Sequence, residues 1–299
     1  MRRRTYLSVV GASLIAGCSS DGDGGETGGS GDGGADTETK STVTDRADTD
    51  SGSRAQATED ATLELVEMDF PDEVALEEVY TPEITVRNTG DVAGTLEAPM
   101  YSRIADTEWE QTGTWTFENV GPGAEQTEQG ADGWHHNYLY EYGYSLGDFD
   151  TTVSVETTPF RTTVGETYPA PNGVEVTVTE IRLTARYQYE DYDGDTVAKE
   201  APDGSQWALV TLRAENTGDG GADLPSTFDV NIIAGQSQYE EAYIDKDENQ
   251  YDGGEVQPGI VREGWIAYEL PDDIATGDVE VVWTGLPNGG EITAIWSPN

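Results

Sequence analysis

Apolar and polar residues alternate along most of the chain after residue 60, with the period of two that marks strands with one buried face. Clear examples are the segments 62–65, 83–87 and 151–155. Gly, Pro, Asn and Asp separate these runs, and no amphipathic helix longer than two turns stands out. The pattern predicts an all-β fold made of sandwiches of short strands.

Three segments of the second half add detail to this prediction. The valines within 174–178 share one strand face, whereas Ile181 and Leu183 have the opposite parity, so a β-bulge is expected between them. The nearly continuous apolar run 207–212 is typical of a central strand that is covered on both faces. Two apolar strands flank Pro-Asn-Gly-Gly within 279–296 and predict a terminal hairpin.

A short sequence repeat divides the folded part into two. Asn-Thr-Gly-Asp occurs at 88–91 and again at 216–219, each time directly after an alternating strand. A Pro-Gly pair follows each copy, at 122–123 and at 258–259. Because Asn and Gly accept positive φ, and Asn and Thr side chains bond nearby backbone, each copy predicts a turn that ends a strand. The repeat predicts two related, tandem immunoglobulin-like β-sandwich domains.

The N-terminus has the pattern of an export signal. Arg2 and Arg3 precede an apolar stretch, 5–17, that has the length of a signal peptide and is too short to span a bilayer. The arginine pair resembles a twin-arginine export signal. The sequence Leu-Ile-Ala-Gly-Cys that ends at Cys18 resembles the lipobox of secreted lipoproteins. This resemblance implies cleavage before Cys18 and lipidation of its thiol.

Residues 19–60 contain no aromatic residue, Leu, Ile or Met, and are mainly Gly, Ser, Thr and acidic residues. Such a segment cannot bury enough apolar surface to offset the entropy lost on ordering. We therefore expect a signal peptide at 1–17, a lipidated Cys with a disordered acidic linker at 18–60, and sandwich domains at 61–158 and 164–299.

The net charge of the chain indicates which partners it does not bind and what salt concentration it is suited to. It has 59 Asp and Glu against 15 Lys and Arg, a formal net charge of −44, which excludes functions that bind nucleic acid through its phosphates. The same charge destabilises a compact fold in dilute salt. At molar salt the Debye length falls to about 3 Å and screens this repulsion, so the acid excess predicts a halophile. The single Cys excludes an internal disulfide framework and a multi-thiolate metal site.

Residues 204–271 resemble the telokin-like, immunoglobulin-like domain of unknown function that occurs in many secreted prokaryotic lipoproteins. The residues that carry this likeness are the run 207–218 with its Asn-Thr-Gly turn, Phe228, Tyr239, Pro258, Gly259 and the segment 264–271. The chain as a whole resembles a haloarchaeal surface lipoprotein. This resemblance implies a fold and a location, lipid-anchored on the extracellular face of the cell membrane, and it implies no catalytic residues.

Catalytic and metal-binding patterns are weak. His135 and His136 are the only histidines, and neighbours on a strand point to opposite faces, so they cannot chelate one ion together. No nucleophile motif such as Gly-x-Ser-x-Gly accompanies them. The acidic segments 191–195 and 245–249 lack the Gly and Glu positions of an EF-hand loop. We expect no enzyme activity, no cofactor and no metal site, while a calcium ion between acidic loops stays open beside plain solvation of those loops.

Aromatic rings recur at every second position between 134 and 144. The residues at these positions are Trp134, His136, Tyr138, Tyr140, Tyr142 and Tyr144. In one extended strand they would form a stripe, and exposed aromatic stripes bind sugars and peptides. The alternative is that part of the stripe is core. Both interpretations stay open, and the candidate binding face consists of Trp134, Tyr138, Tyr140 and Tyr142.

These observations lead to one functional expectation and one alternative. We expect a non-enzymatic cell-surface protein that binds or spaces partners, with the membrane reached through the lipid anchor and a surface glycan or protein as the second partner. The alternative is a solute-binding or sensing lipoprotein that serves a transporter, which a deep pocket between the two domains would favour.

Overall fold

The computed structural model describes residues 61–130, 133–147, 149–190, 193–242 and 249–299. The predicted export residues Arg2 and Arg3, the lipidation site Cys18 and the linker lie outside these ranges. Strands dominate the described chain, and the helices within it are single 3₁₀ turns at Thr227–Asp229, Thr276–Asp278 and Pro287–Gly289. The predicted all-β class is therefore confirmed. In the described ranges no helix is both long enough and apolar enough to cross a membrane.

Residues 63–158 form two sheets that share a core. Their strands are β1 (Leu63–Asp69), β2 (Glu73–Ala75), β3 (Glu83–Asn88), β4 (Gly94–Ile104), β5 (Glu110–Val120), β6 (Glu125–Gln129), β7 (Glu141–Leu146) and β8 (Thr152–Thr158). One sheet has the order β1-β3-β6 and the other β2-β8-β7-β4-β5, with only β2 and β8 running parallel among these pairs. Ile84, Phe117 and Tyr144 are fully buried between the sheets, because alternate strand residues point inward. We call this unit the first sandwich.

Residues 160–297 form a second sandwich. Its strands are β9 (Phe160–Thr163), β10 (Thr167–Pro169), β11 (Val174–Thr184), β12 (Arg186–Glu190), β13 (Thr196–Glu200), β14 (Ser205–Asn216), β15 (Ala222–Leu224), β16 (Val230–Ala234), β17 (Ser237–Tyr239), β18 (Gly254–Val256), β19 (Val261–Pro271), β20 (Val279–Gly285) and β21 (Ile292–Ser297). The main sheets have the orders β10-β11-β14-β19 and β17-β16-β20-β21-β9. Two small sheets, β12-β13 and β15-β18, lie beside them.

Three detailed predictions for the second sandwich are confirmed. The register between β11 and β14 shifts between Val178 and Glu180, where the bulge was expected. Strand β14 is central and covered on both faces: Ala208 belongs to the main core, while Trp207 packs edge-on against Tyr187 of the β12-β13 hairpin with ring centroids 5.5 Å apart. Strands β20 and β21 form the terminal antiparallel hairpin.

The two sandwiches contact each other through a segment that precedes β7. The Leu139 backbone N–H donates to the Glu291 carbonyl at 2.8 Å. Gly290 lies so close to the Tyr138 ring that a β-carbon at position 290 would overlap it. Leu76, which is 1% exposed, comes from the first sandwich but packs in the hydrophobic cluster of the second. The sandwiches are therefore joined by packing as well as by the chain.

Candidate functional site

Residues 134–144 do not form a single strand, which is the condition under which their aromatic rings would make one stripe. Only Glu141–Leu146 is a strand, and the backbone before it is tied to several partners instead of one ladder. Trp134 exchanges hydrogen bonds with Tyr80 at 2.7 and 2.9 Å, and the Tyr140 N–H donates to Thr157 Oγ1 at 2.7 Å. These separate partners turn the side chains in different directions. The side chains of residues 134–144 therefore do not line up as one stripe.

The candidate binding-face residues have different environments. Tyr142 is 7% exposed and belongs to the core of the first sandwich. Tyr138 and Tyr140 are half-buried, and Tyr138 packs against the second sandwich. Trp134 is also half-buried, but it lines a groove at the surface. Trp134 is thus the one of the four candidates that lines this groove.

His136 lies at the centre of a buried aromatic cluster. Its ring stacks on Tyr142 with centroids 3.9 Å apart, and its Nε2 lies 3.3 Å from the Tyr80 hydroxyl. Burial, with a smaller contribution from the neighbouring His135, lowers the pKa of His136 from 6.5 to about 3. Burial likewise raises the pKa of Tyr80 and of Tyr142 above its usual value. The cluster is thus a neutral, packed part of the core rather than a solvent-exposed acid–base group.

The groove that Trp134 lines lies at the open edge of the first sandwich and has a volume of about 390 Å³. Strands β5 and β6 flank it, and each is the last strand of its sheet. Its apolar floor is formed by Met100, Trp115 and Trp134, and its rim by Thr112, Gly113, Thr114, Thr116, Glu128, Gln129 and Gly130. Among the described residues no further strand lies between β5 and β6 at this edge. The result is a partly apolar opening beside the outer edge of β5.

Trp134 is held in the groove by its backbone and by small neighbours. Its backbone bridge to Tyr80 fixes the chain, and its ring lies 6.4 Å from that of Phe70. At Gly130 an added β-carbon would come within 3.0 Å of Trp134 Nε1 and closer still to the Pro82 ring. A glycine at position 130 therefore leaves the space that the indole occupies.

The free edge of β5 can be located from its pairing with β4. Pro99 stands opposite Thr114 in this ladder, and the Pro99 carbonyl accepts from Gly147 N–H, on the side of β4 away from β5. Pro99 and Thr114 are thus a non-hydrogen-bonded pair, and the backbone N–H and C=O of Thr114 point away from β4. Thr116, two residues on, has the same orientation.

All charged residues on the two strands that flank the groove are acidic. Strands β5 and β6 contain Glu110, Glu118, Glu125 and Glu128, and neither strand contains a Lys or Arg. The Glu125 carboxylate is paired with Arg87 of β3. Glu118 is exposed, and Glu128 is half-buried and accepts from Gln126 Nε2 at 2.6 Å. The groove therefore favours a neutral or cationic ligand.

Metal binding finds no support in the described ranges, which contain no group of three or more His, Cys, Asp or Glu that could hold an ion. Of the acidic segments where a calcium ion stayed open, residues 191 and 192 of the first and 245–248 of the second lie outside those ranges. A calcium ion between these acidic loops therefore stays a prediction from the sequence.

Sequence reasoning missed Trp115 and the β5 edge. The segment 112–117 alternates Thr with Gly, Trp and Phe, a pattern that marks a strand with one apolar face. The pattern does not say that this strand ends its sheet. That property depends on strand order, which is set by distant pairings.

Comparison with known proteins identifies one family match. Residues 162–290 match the model of a family described as a domain of unknown function (DUF4352). The match covers most of the second sandwich, where the resemblance predicted a domain of unknown function, and it confirms that part of the prediction. A comparison with curated proteins finds no match.

Among the solved structures that are similar to this chain, two belong to secreted or uncharacterized proteins. One is an uncharacterized β-sandwich protein from Clostridium difficile 630, at 15% identity and a TM-score of 0.33, covering 47% of this chain and 95% of that one. The other is the secreted protein MPT63 of Mycobacterium tuberculosis, at 14% identity and a TM-score of 0.34, covering 47% and 98%. Over residues 162–290, then, the chain is similar to a family of domains whose function is unknown.

Proposed function

We propose that this chain is a non-enzymatic, lipid-anchored surface protein of a halophile, and that its first sandwich binds a partner in the groove between β5 and β6. The anchor is supported by the lipobox-like sequence that ends at Cys18, and the halophilic setting by the net charge of −44. Twin-arginine export is supported by Arg2 and Arg3. The partner is a surface protein or glycan outside the cell.

The groove is the observation that carries the binding function. Trp134 and Trp115 offer aromatic surface, and the threonines and Gln129 beside them offer hydrogen-bonding groups. Aromatic rings combined with a few polar groups in a cleft are the usual composition of a ligand site. The buried His136 and the absence of a nucleophile motif support a binding role over a catalytic one.

Substitution of Trp134 tests this proposal. The mature protein, kept in molar salt, is titrated by calorimetry with neutral oligosaccharides and with synthetic peptides. We expect at least one of these probes to bind, and Trp134→Ala to weaken that binding at least about tenfold, as the loss of an aromatic contact in a cleft does.

Trp109→Ala is the matched control. Trp109 is 37% exposed, lies under the Arg103 guanidinium and is not part of the groove, so its loss should leave binding unchanged. If no probe binds, or if Trp134→Ala and Trp109→Ala lose the same affinity, the proposed binding function is wrong and the first sandwich acts only as a spacer.

A further inference from the structure

We infer that the ligand of this groove is an extended cationic peptide, which adds to the first sandwich as an extra strand along the free edge of β5. This inference rests on the proposed binding function and names the chemistry of the partner. It follows from the backbone geometry of β5, from the residues on its two faces, and from the sign of the charge around it.

The backbone of β5 offers an unused ladder. Between Phe117 and Gly113 the pairing with β4 is regular, one residue opposite one, from Leu96 to Met100. Within this stretch Thr114 and Thr116 direct their N–H and C=O groups outward, for the reason given above. An incoming strand can pair with these four groups, as peptides do when they extend an exposed sheet edge.

Between Gly113 and Phe117, the regular stretch that lies between two β-bulges of the β4-β5 ladder, strand β5 also lacks the residues by which proteins protect sheet edges. Edge strands commonly carry Lys or Pro, or point a charged residue inward. Strand β6, on the other side of the groove, follows this rule, because Glu128 is half-buried and stands opposite the buried Ile84. Strand β5 contains no Lys or Pro, and its inward residues Trp115 and Phe117 are apolar. The β5 edge is therefore open to pairing where the β6 edge is not.

The two faces of an added strand would have different neighbours. Side chains that point inward would enter the groove beside Trp115 and Trp134, so apolar residues fit there. Side chains that point outward would lie beside the exposed Thr114 and Thr116 and close to Glu118, which shares their face. Opposite residues on paired strands have β-carbons about 5 Å apart, so Lys at an outward position can touch a carboxylate.

Charged groups that touch each other still attract in molar salt. At molar salt the Debye length is about 3 Å, so distant charges are screened while touching pairs still interact. The same argument disfavours two occupants supplied by this protein. The linker 18–60 has more acidic than basic residues, and the β5 edge of a second copy would place Glu118 and Glu110 against acidic neighbours.

A peptide of alternating valine and lysine, long enough to span Thr112 to Glu118, is the probe for this inference. Binding to the mature protein is measured by calorimetry in molar salt. We expect the peptide to bind, the same peptide with glutamate in place of lysine to bind at least about tenfold more weakly, and a version methylated on alternate backbone nitrogens to lose binding, because methylation removes the ladder donors.

Substitution of Thr114 tests the same edge from the protein side. Thr114→Pro removes an outward N–H without breaking the β4-β5 ladder, and should weaken peptide binding about tenfold, the value of one hydrogen bond. Thr114→Val keeps the N–H and loses only the side-chain hydroxyl, so Thr114→Pro should bind more weakly than Thr114→Val, and this difference measures the backbone N–H apart from the side chain. If Thr114→Pro does not fold, binding of the methylated peptide to the parent protein tests strand addition by itself.

Equal binding of the methylated and unmethylated peptides would overturn strand addition, and so would equal binding of the lysine and glutamate peptides. If no peptide binds but a neutral oligosaccharide binds in a Trp134-dependent way, the inference fails and the proposed function stands. If no probe of either class binds, both fail.

Discussion

Asn88 and Asn216 hold equivalent places in the two sandwiches and make the same hydrogen bonds. The amide of Asn88 donates to the carbonyls of Val92 at 2.6 Å and Val120 at 2.7 Å, and its Oδ1 accepts from Gly90 N–H at 2.9 Å. Asn216 repeats this pattern with Gly220 at 2.8 Å, Val256 at 3.1 Å and Gly218 at 3.0 Å. Both asparagines are fully buried.

The Pro-Gly pairs belong to the same arrangement. Gly123 N–H donates to the Asn88 carbonyl at 2.8 Å, and Gly259 N–H donates to the Asn216 carbonyl at 2.7 Å. Both glycines have positive φ, 70° and 76°, a region that glycine adopts without strain. The sequence repeat is therefore a repeat of structure: each asparagine ties the end of a strand to the turn that brings the chain back.

Replacing either asparagine by alanine should destabilise its sandwich strongly. Asn88→Ala leaves the Val92 and Val120 carbonyls without this donor, and at about 1 to 3 kcal/mol for each of the two groups we expect a loss of about 2 to 6 kcal/mol. Asn216→Ala should cost a similar amount. Chemical unfolding in constant molar salt measures both. Thr217→Ala, which removes only an exposed bond to the Gly173 carbonyl, is the control and should cost less than about 1 kcal/mol.

The junction between the sandwiches gives a second prediction. Gly290 is buried and its φ of −100° suits any residue, so packing against the Tyr138 ring is what restricts this position. Gly290→Val should displace Tyr138 and cost about 1 to 3 kcal/mol by overpacking. Gly277→Ala, at a glycine with open space around it, should change stability by no more than about 0.5 kcal/mol. Thermal unfolding of both variants distinguishes them, and equal stability would show that the junction yields easily.

The second sandwich could be predicted from sequence in more detail than the first. Its β11 bulge, its central strand β14 and its terminal hairpin can be read from nearby residues, because they depend on which alternate positions are apolar and on turn residues. The change in the apolar positions after Val178 is an example. The sheet order could not be predicted in this way. The parallel pairing of β9 with β21 joins Phe160 to Ala294, and no local pattern records a partner so far along the chain.

The candidate site shows the same division. The sequence names Trp134 as a candidate for a binding face and leaves open whether residues 134–144 form one strand, whereas the structure places Trp134 in the lining of the groove. Parity indicates faces only where a ladder holds the backbone straight, and here the partners of Trp134 and Tyr140 are Tyr80 and Thr157. These contacts are tertiary, so Tyr142 became core while Trp134 stayed at the surface.

Buried His136 predicts a pH dependence of stability. Its pKa falls from 6.5 in an unfolded chain to about 3 in the fold. Below pH 6.5 the unfolded chain therefore binds a proton that the folded chain does not, and the unfolding free energy falls as the pH drops towards 3. Above pH 6.5 this loss is absent. The slope contributed by one such group is at most about 1.4 kcal/mol per pH unit.

His136→Phe isolates this contribution from that of the many carboxylates. Phenylalanine can keep the ring stacking on Tyr142 but cannot titrate, although it leaves the Tyr80 hydroxyl without its contact to Nε2. The parent should lose stability faster than the variant between pH 6.5 and pH 4, as followed by chemical unfolding at constant salt. Parallel pH profiles would mean that His136 is protonated in the folded protein.

The charge excess predicts stabilisation by salt. With 59 acidic and 15 basic residues, the fold should be least stable in dilute buffer, and its melting temperature should rise as potassium chloride increases to molar concentration. Circular dichroism at a series of salt concentrations measures this rise. Sucrose at matched osmolality is the control, because it strengthens burial without screening charge. A melting temperature that does not change with salt would contradict the halophilic interpretation.

The proposed anchor makes a prediction about where the protein resides when Cys18 is replaced. Two acyl chains hold a protein stably in a membrane whereas one holds it only marginally, so a diacyl-type lipid on Cys18 would keep the protein in the membrane fraction after export. Cys18→Ser should release it into the medium, while Ser19→Ala, next to the lipidated position, should leave it bound. Mass spectrometry of the parent should show an N-terminus that begins at a lipid-modified Cys18. Replacing Arg2 and Arg3 by Lys should instead retain an unprocessed precursor inside the cell, because we propose that this arginine pair is a twin-arginine export signal. Membrane retention of Cys18→Ser at the level of the parent would refute the anchor, whatever the groove binds.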